Sequence, residues 1–563
     1  MSSLARQNRL ENRSETALVW AVFAAVFCFV LYPIIALFYH SLWTPDGPGL
    51  AGALKILKSS RKLLQNSVLN GLLTSLISSL MSLIVGLFVA LSSPRLSRAL
   101  KLFLMLTMIS PPFVSSLSYI QLFGRRGLIS YRLLGLSLNP YGLWGVVLMQ
   151  ALSYLSLHAL LISTAVASID PAIINSARDL GASTGEIVRD LILGQLKAPL
   201  AIVALLNFMK SLADFSTPTI IGGKFSTLAT ESYLNMVAYG DIGKAAVLNI
   251  LIFLPSILVY LVYRKYSAGQ SRQASQQAPV SYRRKGLLYR FLAAFTALFL
   301  GALTLQYLAL ILEAFIQRSR GKISLTLAHF SAASTHLSGA MLRSVLYSLI
   351  AASIGAALGL LIGYVVQLRK SRLGNYLDLL SSLPYVLPGS FFGIAYIYAF
   401  RSPPLKLTGS ALIVILNVLF KQLPFTAKVG IDAVRAIDPA IFNSIRDLGG
   451  SRLRLLSDGI FPLAKESFFV SFANSFSSTM TTVGSILFLV YPGQKLATIV
   501  LFDLIQSGKY SVGSALALWI MLLTVAVNAG CFLLLRHGQK SRSESALSRA
   551  EKVGGINYVP RLD

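Results

Sequence analysis

The stretch Ile169–Ala182 reads IDPAIINSARDLGA, and Ile437–Gly450 reads IDPAIFNSIRDLGG. The copies lie 268 positions apart and share eleven of fourteen residues. Each is a charged island between strongly apolar segments. Asp170-Pro171 and Asp438-Pro439 open them, and an Asp before Pro is an N-cap followed by a residue suited to the first helical position. No breaker follows until Gly181 or Gly449, and glycine commonly ends a helix. The spacing predicts a short helix across the membrane face, a glycine turn, and a second helix leading into the next apolar segment. Arg178 and Asp179, like Arg446 and Asp447, are placed to contact a partner.

The surrounding composition sets the solvent. Of 563 residues, 55% are hydrophobic and 13% charged, and the mean hydropathy is +0.68. Soluble domains carry about 25% charged residues, so the class is an all-α polytopic membrane protein. The net charge of +29 reads as topology rather than nucleic-acid binding, because inner loops of membrane proteins collect Lys and Arg. Cys28 and Cys531 both sit in apolar runs, and the five histidines are scattered. No disulfide framework or metal cluster is available. His158, inside an apolar run, reads as a packed or water-facing side chain.

A hydrocarbon core about 30 Å thick needs about 20 helical residues. Segments 17–38, 66–91, 100–124, 141–166, 199–221, 244–263, 289–312, 341–366, 376–400, 409–431, 466–490 and 510–535 qualify, giving about 12 spans. With the N-terminus inside, the inner segments, counted with Lys101, Arg290 and Lys428 at the span ends, hold 31 Lys and Arg and the outer ones 15. That bias puts both termini and both charged islands in the cytoplasm. Beyond the islands, NSVLNGLL at Asn66 lines up with RSVLYSLI at Arg343, and Gly86 with Gly363. Each half therefore has one poorly matched leading helix and five that correspond. The halves insert in the same orientation, as parallel repeats. The expected division is 1–263 for the first half (island loop 169–199), 264–288 for a polar linker, 289–535 for the second half (island loop 437–465), and 536–563 for a cytoplasmic tail.

At this point the sequence resembles the membrane subunits of bacterial binding-protein-dependent ABC importers. Their cytoplasmic motif runs EAA, three residues, Gly, nine residues, then I-x-L-P. Here Asn175-Ser176-Ala177 precedes Gly181 by that spacing, and Leu191-Ile192-Leu193-Gly194 follows nine residues later. Asn443-Ser444-Ile445 likewise leads to Gly449 and then Gly459-Ile460-Phe461-Pro462. Asn stands for the family Glu in both copies, and Gly194 for the terminal Pro in the first. The chain most resembles the fused permeases of the ferric iron and thiamine importer group, and Leu212–Tyr233 is similar to the iron-type members. The resemblance implies a duplicated type I importer permease fold in the bacterial inner membrane. It implies that each island helix docks on one of two cytoplasmic ATPase subunits, through Asp170, Asn175, Ser176, Ala177, Arg178, Asp179 and Gly181 in one half. In the other half Asp438, Asn443, Ser444, Arg446, Asp447 and Gly449 do so. An extracytoplasmic binding protein would deliver the substrate, ferric iron first, then thiamine, phosphonates or polyamines. ATP would be bound by the partner subunits, with no cofactor or metal held by this chain.

The residues themselves add that no GxxxxGK[ST] loop is present; Gly222-Gly223-Lys224 is followed by Phe225. No catalytic constellation stands in a suitable loop, so the chain is read as no enzyme. A secondary transporter with parallel repeats would carry more intramembrane acids and need no duplicated docking helix. Lys210 and Asp214 lie four residues apart in the fifth expected span, hence on one helix face. They read as a structural ion pair or as pathway-lining groups. The repeat places Ser478 and Thr482 at their equivalents. Lys421, in the tenth span, snorkels or lines the path. Pro112, Pro218, Pro255, Pro384 and Pro388 are expected to kink helices.

Overall fold

The computed structural model describes residues 15–41, 43–44, 47–48, 50–111, 113–136, 139–267, 286–319, 322–337, 339–369, 372–450, 454–491 and 493–553. Pro112, most of the linker and the last residues of the tail lie outside them. Among the described residues eight helices are long and apolar enough to cross a membrane: Glu15–Ser41, Arg61–Leu91, Leu143–Ala167, Ile242–Val262, Leu287–Phe315, Ala340–Arg369, Ala411–Arg435 and Tyr510–Leu535. The last of these runs on as helix to Val553, into the expected tail.

The remaining four expected spans are interrupted, and they fall at equivalent places in the two halves. Segment 100–124 divides into Pro94–Thr107 and Phe113–Phe123. Segment 376–400 divides into Arg372–Tyr385 and Gly389–Phe400, bent by 114°. Segment 199–221 becomes Lys197–Ala213 and the short turn Ser216–Ile221, and it is bent by 59° from the preceding Ile187–Gln195. Segment 466–490 is helical only over Lys465–Thr481. Prolines account for the first pair: Pro111, Pro384 and Pro388 lack the amide donor that a continuous ladder needs. In the other pair the chain leaves the helix at Asp214 and Thr482, both in extended conformation. Pro255, by contrast, stays inside an unbroken helix.

Polar residues face inward and leucines outward, as lipid solvent requires. On Arg61–Leu91, Asn70, Thr74, Ser78 and Ser82 are fully buried, while Leu69, Leu72, Leu76 and Leu80 are exposed. The buried small residues let helices close on one another. Ser78, Ser82 and Gly86 correspond to Gly355, Gly359 and Gly363 in the second half. There Ala340–Arg369 packs on Ala411–Arg435 so closely that a Cβ on Gly359, Gly363 or Gly430 would strike a carbonyl oxygen of the facing helix.

Each leading helix crosses to the other half. Phe29 of Glu15–Ser41 stacks on Phe420 with ring centroids 5.1 Å apart. Tyr396 Oη donates to the Phe29 carbonyl at 2.7 Å. Buried Glu15 accepts from Tyr364 Oη at 2.8 Å and pairs with Arg369 Nε at 3.2 Å. Reciprocally, Leu287–Phe315 lies against the first half: Tyr307 Oη donates to the Thr107 carbonyl, and Ser118 Oγ to that of Gln306. Both leading helices are followed by a two-stranded antiparallel ribbon and a ten-residue helix, Leu50–Ser59 or Ala328–Leu337. The repeat thus includes the leading units that the sequence matches poorly.

Candidate functional site: twin elbows and a cavity between the halves

The islands fold into matched elbow helices, Pro171–Asp179 and Pro439–Asp447. Asp170 Oδ1 accepts from the Ala172 amide at 2.9 Å, and Asp438 Oδ1 from that of Ala440 at 2.8 Å. Both helices end on a glycine of positive φ, +89° at Gly181 and +75° at Gly449. Behind each glycine a bond spans six residues, Ala182 N to Ala177 O at 3.0 Å and Gly450 N to Ile445 O at 2.8 Å. This closure satisfies carbonyls that a helix end leaves open, and a left-handed residue makes it possible.

Ile174 and Phe442 anchor the elbows inward. Asn175, Ser176 and Asp179 are exposed on one elbow, and Asn443, Ser444 and Asp447 on the other, while Ala177 and Arg178 are half-buried. The Arg446 side chain lies outside the described residues. Leu180 is 89% exposed and Leu448 88%. A single exposed leucine is ordinary, but these two occupy the same position of duplicated helices. Sequence reading passed over them because leucine in an apolar chain carries no signal. After the first elbow, the Ser183 amide donates to Glu186 Oε2 at 2.8 Å, and the Glu186 amide to Ser183 Oγ at 3.3 Å. This capping box holds the Glu186 carboxyl below its ordinary range, first through the backbone bond from Ser183 and then through the hydroxyl.

The second site is a cavity of about 450 Å³ where the interrupted spans of both halves meet. It gathers Lys210, Asp214 and Lys421, residues far apart in sequence, with Tyr154, Tyr385 and Gln422. The ion pair read between Lys210 and Asp214 is absent: no ion pair among the described residues joins them. That expectation assumed one helix through both residues, whereas the helix ends at Ala213. Asp214 instead caps the turn behind it. Its Oδ1 accepts from the Ser216 amide at 2.9 Å, the Ser216 hydroxyl at 2.7 Å and the Thr217 amide at 3.1 Å. Its Oδ2 accepts from Gln150 Nε2 at 2.9 Å. The Gln150 carbonyl in turn collects Asn70, Thr74 and Ser211 at 2.7–3.0 Å. Sequence reading missed this network because its members sit on three helices.

Lys421 Nζ donates to the carbonyls of Pro384, at 2.7 Å, and Leu387. It thereby satisfies acceptors freed where Arg372–Tyr385 breaks, a cost that lipid would otherwise leave unmet. Lys210 Nζ sits 5.4 Å from the centre of the Tyr154 ring, and the residue is exposed to the cavity. His158 is fully buried, edge-on to Tyr154 with centroids 6.5 Å apart. By the repeat offset, Ser153 corresponds to Lys421 and Tyr154 to Gln422, so both halves offer the same helix positions to the cavity with different chemistry.

Repeated halves, interrupted helices meeting at a shared cavity and a matched elbow helix in each half define a membrane permease built by duplication. The chain belongs to the family of binding-protein-dependent transport system inner membrane components, matching it twice, over residues 82–271 and 355–541. It is similar to the ferric transport system permease protein FbpB of Actinobacillus pleuropneumoniae, at 26% identity over 90% of this chain and 76% of that one. A Haemophilus influenzae chain provisionally named as a ferric transport system permease is 27% identical over 83% of this chain and 76% of its own. The molybdate/tungstate transport system permease protein WtpB of Pyrococcus abyssi is 25% identical over 35% of this chain and 76% of its own. The chain is thus a fused two-domain permease of an ABC importer, multi-pass in the inner membrane, whose family works with an ATPase and a substrate-binding protein.

Proposed function

We propose that this permease imports ferric iron, with each elbow seated on one of two cytoplasmic ATPase copies and both termini in the cytoplasm. The observation that carries the coupling reading is the matched exposure of Leu180 and Leu448 at the ends of duplicated, fully capped helices. A rigid helix with an unburied apolar tip suits a socket on a moving partner. Closure of the ATPase pair would push both elbows and rock the halves about their shared cavity. Lys210, Asp214 and Lys421 would then line the path. The chain itself would do no chemistry, ATP being bound and hydrolysed by the separate subunits.

Iron is favoured by the relatives named for ferric transport, which align along most of the chain. A second reading, import of an oxyanion, is favoured by the lysines of the cavity and by the relative named for molybdate and tungstate. Thiamine and polyamines, both cations, fit that cavity less well. The test is uptake into proteoliposomes holding the permease, its ATPase and its binding protein. ATP-dependent accumulation of radioiron is expected; accumulation driven by an ion gradient without ATP would overturn the coupling reading. ATP-driven uptake of molybdate but not iron would overturn the substrate.

A further inference from the structure

We propose that the cargo crosses the central cavity as an anion, so that iron passes as a complex made net negative by carboxylate or phosphate ligands. For the metal this rests on the ferric reading above; for the sign of the charge it rests on the cavity alone. Among the described residues three charged side chains line it, Lys210, Lys421 and Asp214. Two are cations, and the carboxylate is already committed. Both Asp214 oxygens accept hydrogen bonds, four in all. Ligating a metal there would uncap the Ser216–Ile221 turn and release Gln150. Among the described residues no group of three or more His, Cys, Asp or Glu side chains could hold a metal ion.

A bare trivalent cation would therefore meet two ammonium groups and no ligand set, inside a bundle where like charges repel far more strongly than in water. An anion meets the reverse. Lys210 lines the cavity with no ion pair to any of the described residues, steadied by the Tyr154 ring. The Gly389–Phe400 helix begins at the cavity wall with no side-chain cap on its first turn, and its dipole adds positive potential there. Neither lysine belongs to the duplicated scaffold: the repeat has Ser478 opposite Lys210 and Ser153 opposite Lys421. For Lys210, which makes no structural bond of the kind that Lys421 makes to the Pro384 and Leu387 carbonyls, a charge that the equivalent position does without points to the path rather than to packing.

The experiment uses the assembled importer in proteoliposomes, supplied with radioiron as its radiolabelled citrate or phosphate complex. Anion label is expected to enter with iron in fixed ratio. Lys210→Gln should lower that uptake roughly tenfold, the lower end of what focused charge does to counter-ion occupancy, and Lys210→Arg should largely restore it. Lys210 is the residue to change because Lys421 also holds the broken helix together. Iron entering without either anion, or native uptake by Lys210→Gln, would overturn the inference while leaving the ferric reading intact. Uptake of molybdate but of no iron complex would remove the ferric reading and support the anionic path. Uptake of thiamine alone would remove both.

Discussion

Asp214 carries the clearest lesson at the scale of single residues. A carboxylate inside an apolar span was legible as a functional or structural exception. Its work as a cap was not, because the break after Ala213 has no proline or glycine to announce it. The signal was the local order Asp214, Ser216, Thr217, Pro218: an acceptor placed two residues ahead of a proline-bearing turn. Replacing Asp214 by Ala is expected to cost about 1–3 kcal/mol, a lost cap plus an unpaired buried amide on Gln150, read as a lowered unfolding temperature in detergent. Asp214→Asn keeps an acceptor for the cap and should lose less than half of that. The elbow tips behave oppositely. Leu180→Asp with Leu448→Asp should leave thermal stability within about 0.5 kcal/mol, as exposed sites do, while abolishing co-purification of the ATPase.

Among elements, the elbows were readable almost to the residue, since Asp-Pro and Gly are strong punctuation. The interrupted spans were not, because composition alone cannot tell a straight apolar helix from one that breaks inside protein. The glycine row Gly355, Gly359, Gly363 explains how the second half holds its central pair. Gly430→Ala would press a methyl into the Gly359 carbonyl, and overpacking of this kind costs about 1–3 kcal/mol; thermal unfolding measures it. The capping box after the first elbow gives a pH prediction. Glu186 has a lowered folded pKa, so its support is present above the unfolded value and is lost as pH falls through the folded one. Amide exchange at Ser183 should quicken, relative to the intrinsic rate, across that acid range. Glu186→Gln, which keeps the acceptor but does not titrate, should abolish the step.

At the scale of the molecule, the duplication was legible because two charged islands match while apolar segments drift. The reciprocal exchange of leading helices was not, since no local pattern tells Glu15–Ser41 which half it will meet. Its partners, Tyr364, Arg369, Tyr396 and Phe420, all lie more than 300 residues away. The exchange makes each half incomplete alone. A chain cut between residues 267 and 286 and expressed as two pieces should reassemble and co-purify, whereas removal of Glu15–Ser41 should prevent it. The central claim, that both elbows meet an ATPase on the cytoplasmic side, has a direct test in cysteine crosslinking from the exposed positions Ser176 and Ser444. Each of Ser176→Cys and Ser444→Cys should crosslink to the ATPase, one subunit per elbow, and resist a membrane-impermeant thiol reagent added outside intact cells. No crosslink from either position, or labelling of both from the exterior, would contradict it.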